Sequence, residues 1–135
     1  QVLNKMGHEA WIADGNTYDI RLNLNVPLMG HLPFTCECKF DDMAYSTGNL
    51  ALQTFDGGKP SGIHPQGPCP DLWVHGVKDQ AWFIRTSIVR SLVETHAQTW
   101  GSRVISMGDK GPNAKGILMP ISIAKKAQGG TWVDL

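Results

Sequence analysis

Neither sign of charge predominates in this chain: 12 Lys and Arg stand against 12 Asp and Glu. That balance excludes the broad basic surface of histone-like or architectural proteins, which attract polyanions through the field of the whole molecule. It leaves room for a local cleft whose acids offset bases placed elsewhere, and the last third is basic at Lys110, Lys115, Lys125 and Lys126. Cysteine is scarce, with only Cys36, Cys38 and Cys69. An odd number does not build a secreted disulfide framework, so free thiols in a reducing compartment are expected. No apolar run approaches the roughly 18 residues that suggest a membrane span, and no signal peptide is visible. The expectation is a soluble, cytoplasmic protein without a membrane partner. G-x-S-x-G, the P-loop pattern and G-x-G-x-x-G are all missing, which removes the commonest serine-hydrolase, nucleotide-triphosphate and dinucleotide readings.

What is present fits one domain over residues 1–135. A chain of 135 residues with 41% hydrophobic content can bury an adequate core without a disulfide or structural metal. Fifteen glycines suggest many turns and a strand-rich fold. QVLNKMG at 1–7 reads as the end of a helix stopped by Gly7; an opening Gln1 suggests that this helix began upstream. HEAWIA and TYDIRLN flank Asp14-Gly15-Asn16 and read as a hairpin. NVPLMGHLP, with two prolines and a glycine, reads as a loop. FTCECKF reads as a strand, DDMAYSTG as a polar connection, and NLALQTF as a strand or short helix. DLWVHGV suggests a short helix opening after Pro70, and QAWFIRT a buried strand. TSIVRSLVETHAQTW reads as a helix with Ile88, Leu92 and Val93 on one face and Thr86 or Ser87 as N-cap. RVISM is a short strand, GDKGPNAKG a basic turn, and ILMPISIAKKA a strand with a helical turn. The expected class is α/β, one mixed sheet flanked by helices.

The strand period of two places chemistry on one face. In FTCECKF, Phe34, Cys36, Cys38 and Phe40 share a side expected to pack on the core, while Thr35, Glu37 and Lys39 share the other. In TYDIRLN, Asp19 lies on a face with Thr17 and Arg21. If the two strands are neighbours, Asp19 sits beside Glu37. Two carboxylates at one end of adjacent strands form a hard oxygen site for Mg²⁺ or Mn²⁺, with the Cys38 carbonyl as a further oxygen. Such a cation polarises water and neutralises charge at a phosphate. Lys39 would orient the attacking water or stabilise charge on the scissile phosphate. The plainer alternative is a solvated surface ion pair, worth about 0–1 kcal/mol.

The segment from Asp19 to Ile63, above all FTCECKFDDMAYSTGNLALQTFDGGKPSGI, resembles the PD-(D/E)XK nuclease superfamily, which includes restriction enzymes and Holliday junction resolvases. In particular it resembles a group of small phage-type members, which carry an E-x-K strand, then T-G-N, then a G-x-P-S-G-I loop. DLWVH and WFIRTSIVRSL extend the likeness, so that it covers roughly residues 7 to 120. The resemblance implies a restriction-endonuclease-like core, hydrolysis of DNA phosphodiester bonds and Mg²⁺ or Mn²⁺ as cofactor. Asp19 and Glu37 would be metal ligands and Lys39 the catalytic lysine. It also implies a role for Gln53, where relatives carry Glu or Gln, in holding a water or a phosphate. A phage-infected bacterial cell is the setting it suggests. Two departures stand out. Tyr18 replaces the proline before the aspartate, and no glutamate precedes Glu9 where relatives carry one on a first helix.

Asn49, Lys59 and Ser61 are candidate DNA-backbone contacts, against the alternative that Asn, Ser and Gly here serve turn geometry. His64, Cys69 and His75 match no common zinc spacing. His75 reads as a partly buried histidine with a hydrogen-bond partner, and Trp73 and Trp82 as core or dimer contacts. Cutting two strands or a junction needs two sites, so a homodimer or higher homo-oligomer is expected, through residues 87–100 or the Trp-bearing strand. A homing endonuclease or junction resolvase would share the chemistry. A non-catalytic DNA-binding module, or a protein-interaction domain favoured by the zero net charge, would not.

Overall fold

A computed structural model describes residues 9–12, 20–26, 30–96, 98–99, 104–106 and 114–135. Among these, ten strands form two sheets. The larger comprises β1 (Glu9–Ile12), β2 (Ile20–Val26), β3 (Gly30–Phe40), β6 (Leu72–Val77), β7 (Gln80–Arg85) and β10 (Thr131–Asp134), in the order β1-β2-β3-β6-β7-β10. It is mixed: β3 and β6 run parallel and the other pairs antiparallel. The smaller sheet is antiparallel, in the order β5 (Lys59–Pro60), β4 (Asn49–Asp56), β9 (Lys115–Pro120), β8 (Val104–Ser106). The helices are α1 (Ala44–Thr47), α2 (Thr86–His96) and α3 (Ile121–Lys126). The α/β class with a mixed sheet and a few flanking helices therefore holds. The expected helix at 1–7, the turn at 14–16 and the basic turn through Lys110 lie outside the described residues.

DDMAYSTG, read as a polar connection, contains the short helix α1, and three further segments differ from the sequence reading. DLWVHGV is a strand, not a helix: β6 lies between β3 and β7, and the core on one face accounts for its apolar run. Such a run carries no clean period, so helix and buried strand look alike in sequence. GHLP belongs to β3 rather than a loop, with Pro33 opposite Asn23 in the ladder. Thr131–Asp134 adds an edge strand beside β7.

The core lies between the sheets. Trp73 and Val77 from β6 and Trp82 and Ile84 from β7 meet Leu50 and Leu52 from β4, Met119 from β9, Ile63 and Val89. Each large apolar side chain fully buried there contributes about 1.5–3 kcal/mol. Register partners project to the same face of a sheet. Glu37 is opposite Trp73 and Lys39 opposite His75, so the acid and base share the face that meets the core. This corrects the sequence reading of β3. On the other face Cys36 is fully buried, Phe34 and Cys38 are half-buried, and Phe40 is 63% exposed.

Two devices tie the parallel crossover. Thr35 N–H and Oγ1–H both donate to Asp71 Oδ2, at 2.8 and 3.2 Å, and Asp71 N–H returns a bond to Thr35 Oγ1 at 3.1 Å. The loop after β5 is pinned by Arg90 of α2, which donates to the carbonyls of Gly62 (3.1 Å) and Pro68 (2.7 Å).

Candidate active site

Glu37 and Lys39 are two residues apart on β3, so strand pleating sets them side by side on one face. Their tips meet, with Lys39 Nζ 2.7 Å from Glu37 Oε1. The side chains retain 15% and 22% of their exposure, Glu37 the smaller. The pair is thus neither a solvated surface bridge nor a sealed one: its flank is apolar core and its outer edge reaches solvent.

Beside it lies a buried polar network formed across the parallel strands. The Trp73 indole N–H donates to His75 Nδ1 at 3.2 Å. An indole can only donate, so Nδ1 accepts and the ring proton sits on Nε2. Nε2 in turn faces Asp41 Oδ2 at 3.3 Å. Asp41 follows β3 and gathers three backbone donors as well: Met43 (3.1 Å) and Ala44 (3.0 Å) on Oδ1, Ala51 (2.8 Å) on Oδ2. It thereby caps α1 and ties β4 to the end of β3. Burial by itself pushes the Asp41 carboxyl up, but the hydrogen bonds from His75 and the Ala51 N–H outweigh it, and the group lies below its ordinary value.

The sequence reading found His75 but expected it to be partly buried; it is fully buried with two partners. Asp41 was missed. Its signal was the Asp41-Asp42 pair ahead of MAYST, since a short acidic side chain before a helix can accept from its first free N–H groups.

The other candidates are placed as follows. Asp19 lies outside the described residues; its neighbour Ile20 is opposite Cys36, one step from Glu37. Cys38, the expected carbonyl donor, is opposite Val74 on β3. Gln53 is buried on β4, and its amide donates to the Phe55 carbonyl at 3.2 Å. Asn49 is held locally: its side-chain amide donates to the Thr47 carbonyl at 3.1 Å and its N–H to Thr47 Oγ1 at 3.3 Å. Gly48, with φ +73°, closes α1 ahead of it, so T-G-N works as a helix stop. Lys59 is exposed on β5. Ser61 donates its N–H to Thr54 O (2.9 Å) in the loop that Arg90 pins. The structure brings together Glu37 and Lys39 and adds Trp73, His75 and Asp41. It leaves Asn49 and Gln53 with local hydrogen bonds of their own. Trp82 is fully buried in the chain's own core, stacked on Trp132 at 6.1 Å.

Among the described residues no three His, Cys, Asp or Glu side chains converge on a metal position. Asp41 is already taken up by four hydrogen bonds, so among the described residues Glu37 is the carboxylate this face offers. Mg²⁺ is held by one or two carboxylates with waters completing the shell. Among the described residues Glu37 alone would offer such a carboxylate here, and it is already paired with Lys39. No known protein family, curated protein or solved structure matches the chain.

Proposed function

We propose that the chain is a Mg²⁺-dependent nuclease that hydrolyses DNA phosphodiester bonds, with a restriction-endonuclease-like core of the PD-(D/E)XK kind. The observation that carries this is the Glu37–Lys39 pair on a central strand, 2.7 Å apart and on the core-facing side. An exposed ion pair contributes about 0–1 kcal/mol, and a largely buried one often less than apolar residues of the same volume. Neighbours on this face are Trp73, Trp82 and Ile84. Stability alone would be served better by apolar side chains at 37 and 39, so function is the better account of the charges.

In this reading Glu37, Asp19 and the Cys38 carbonyl hold the cation, which requires position 19 to lie opposite position 37. The cation supplies Lewis acidity. Lys39 supplies a positive charge beside the scissile phosphate, where negative charge builds as the P–O bond is attacked. Asp41 and His75 hold the end of β3 against β4 and β6, fixing where Lys39 starts. Lys59 and Ser61 contact the DNA backbone from a loop with its own anchorage, a homodimer presents two such sites, and the setting is the cytoplasm of a phage-infected bacterium.

Nicking of supercoiled plasmid DNA tests the reading. The wild-type chain should nick with Mg²⁺ and stop with a chelator, and Glu37→Gln should lose on the order of 100-fold or more in rate while keeping its fold. Binding of DNA without cleavage in any divalent cation would favour a non-catalytic DNA-binding module instead.

A further inference from the structure

The dimer surfaces expected from the sequence are spent inside the chain. Trp82 stacks on Trp132, and Ile88, Val89 and Val93 of α2 pack on the core. Apolar surface is left over elsewhere: Phe40, which ends β3, and Met43 and Tyr45 just after it are 63%, 65% and 66% exposed. They gather round the turn from β6 to β7. The Phe40 ring lies against Gly76, where a Cβ would come within 2.7 Å of it, and Asp41 N–H donates to the Gly76 carbonyl at 2.9 Å. The Lys78 ammonium stands 4.0 Å from the centre of the Tyr45 ring. Lys78 has φ +55° in a two-residue hairpin, a position where Gly or Asn is the usual occupant. A lysine there is strained, so its side chain, not its backbone, accounts for its presence. Asp42 and Asp79 flank the patch; both are exposed, and among the described residues neither carboxylate has an ion pair.

We propose that this patch is the contact between two copies of the chain related by a twofold axis. A twofold contact uses the same surface on both copies, so the surface must complement itself. This one does: a cation at its centre and an acid on either flank let Lys78 of each copy meet a carboxylate of the other. Its area also fits. Phe40, Met43 and Tyr45 expose roughly 400 Å² of side chain, about half of the roughly 800 Å² that each partner gives to a standard interface. Asp42, Ser46, Lys78 and Asp79, all exposed, supply a polar rim round that apolar centre. Nucleic acid fits less well, because two acids stand against one lysine and repel a polyanion. Phe40 follows Lys39 directly, so the contact joins the two strands that carry Glu37 and Lys39 and sets how far apart those pairs lie. The inference gives a surface to the homodimer of the nuclease reading but does not rest on that chemistry, and either can fail alone.

Sedimentation velocity, from low micromolar to a few hundred micromolar chain, tests the contact without any use of cleavage. The wild type should pass from monomer to dimer over that range. Phe40→Ser combined with Tyr45→Ser should weaken association on the order of tenfold or more, since buried aromatic side chains carry most of an interface's affinity. Its circular dichroism spectrum should be unchanged, because both side chains lie on the surface. Lys78→Glu, which leaves the patch with one sign of charge, should weaken association several-fold. A wild type that stays monomeric throughout would overturn the proposal, and so would a dimer that the Phe40 and Tyr45 changes leave intact. A monomer that binds single-stranded DNA, and loses that binding in the same double variant, would give the patch to nucleic acid instead.

Discussion

Asp41 shows how one side chain couples local structure to the site. Its four hydrogen bonds cap α1, fasten β4 and orient His75, and together they hold its carboxyl below the ordinary value despite burial. A depressed carboxylate stabilises the folded state fully above its unfolded value, and that contribution is lost as pH falls through the lower folded value. Asp41→Asn removes the charge that titrates. Melting temperatures of the two proteins should therefore differ most above about pH 4, the ordinary carboxylate value, and converge as the solution is made more acid. A difference that does not change with pH would mean that the carboxylate charge is not what the network uses. At this scale the sequence was half legible. Glu37 and Lys39 were readable from strand alternation, since a period of two needs no tertiary information. Asp41, Trp73 and His75 come together only because β6 lies parallel to β3 after a long crossover, and no local pattern encodes that pairing.

The loop between β5 and β6 shows the same division at the level of elements. The resemblance marked G-x-P-S-G-I as a loop but not what its second glycine does. Gly62 has φ +57°, and a Cβ there would lie 2.2 Å from the Gln53 carbonyl oxygen. The close approach lets Ile63 N–H donate to that same carbonyl at 2.9 Å and sends Ile63 into the core. Gly48 has φ +73° with open space around it. Gly62→Ala should cost about 3 kcal/mol or more in chemical denaturation, and Gly48→Ala about 1 kcal/mol, since only the first adds a backbone clash to the left-handed strain. Equal losses would place the whole effect in backbone conformation. Elements with clear alternation or clear helical period, such as FTCECKF and TSIVRSLVETH, were legible. DLWVHGV and GHLP were not, the first because its apolar run has no period and the second because proline and glycine there lie inside a ladder.

For the molecule as a whole, the two sheets place an acid and a base where core residues would otherwise stand. β3 is central, so whatever its core-facing residues do is fixed by neighbours on both sides rather than by a mobile loop. Rigid elements would suit the proposed site, in which a small cation and a phosphate are held in fixed relation. The six-stranded order puts β2 beside β3, and the last described pair, Ile20 with Cys36, stops one residue short of the position the account needs. The whole reading turns on a second carboxylate meeting Glu37 there. Isothermal titration of Mn²⁺ into wild type and Asp19→Asn tests it most directly. The account predicts one site per chain in the wild type and an affinity at least on the order of tenfold weaker in the variant, with the melting temperature unchanged. Wild-type affinity in Asp19→Asn would contradict it.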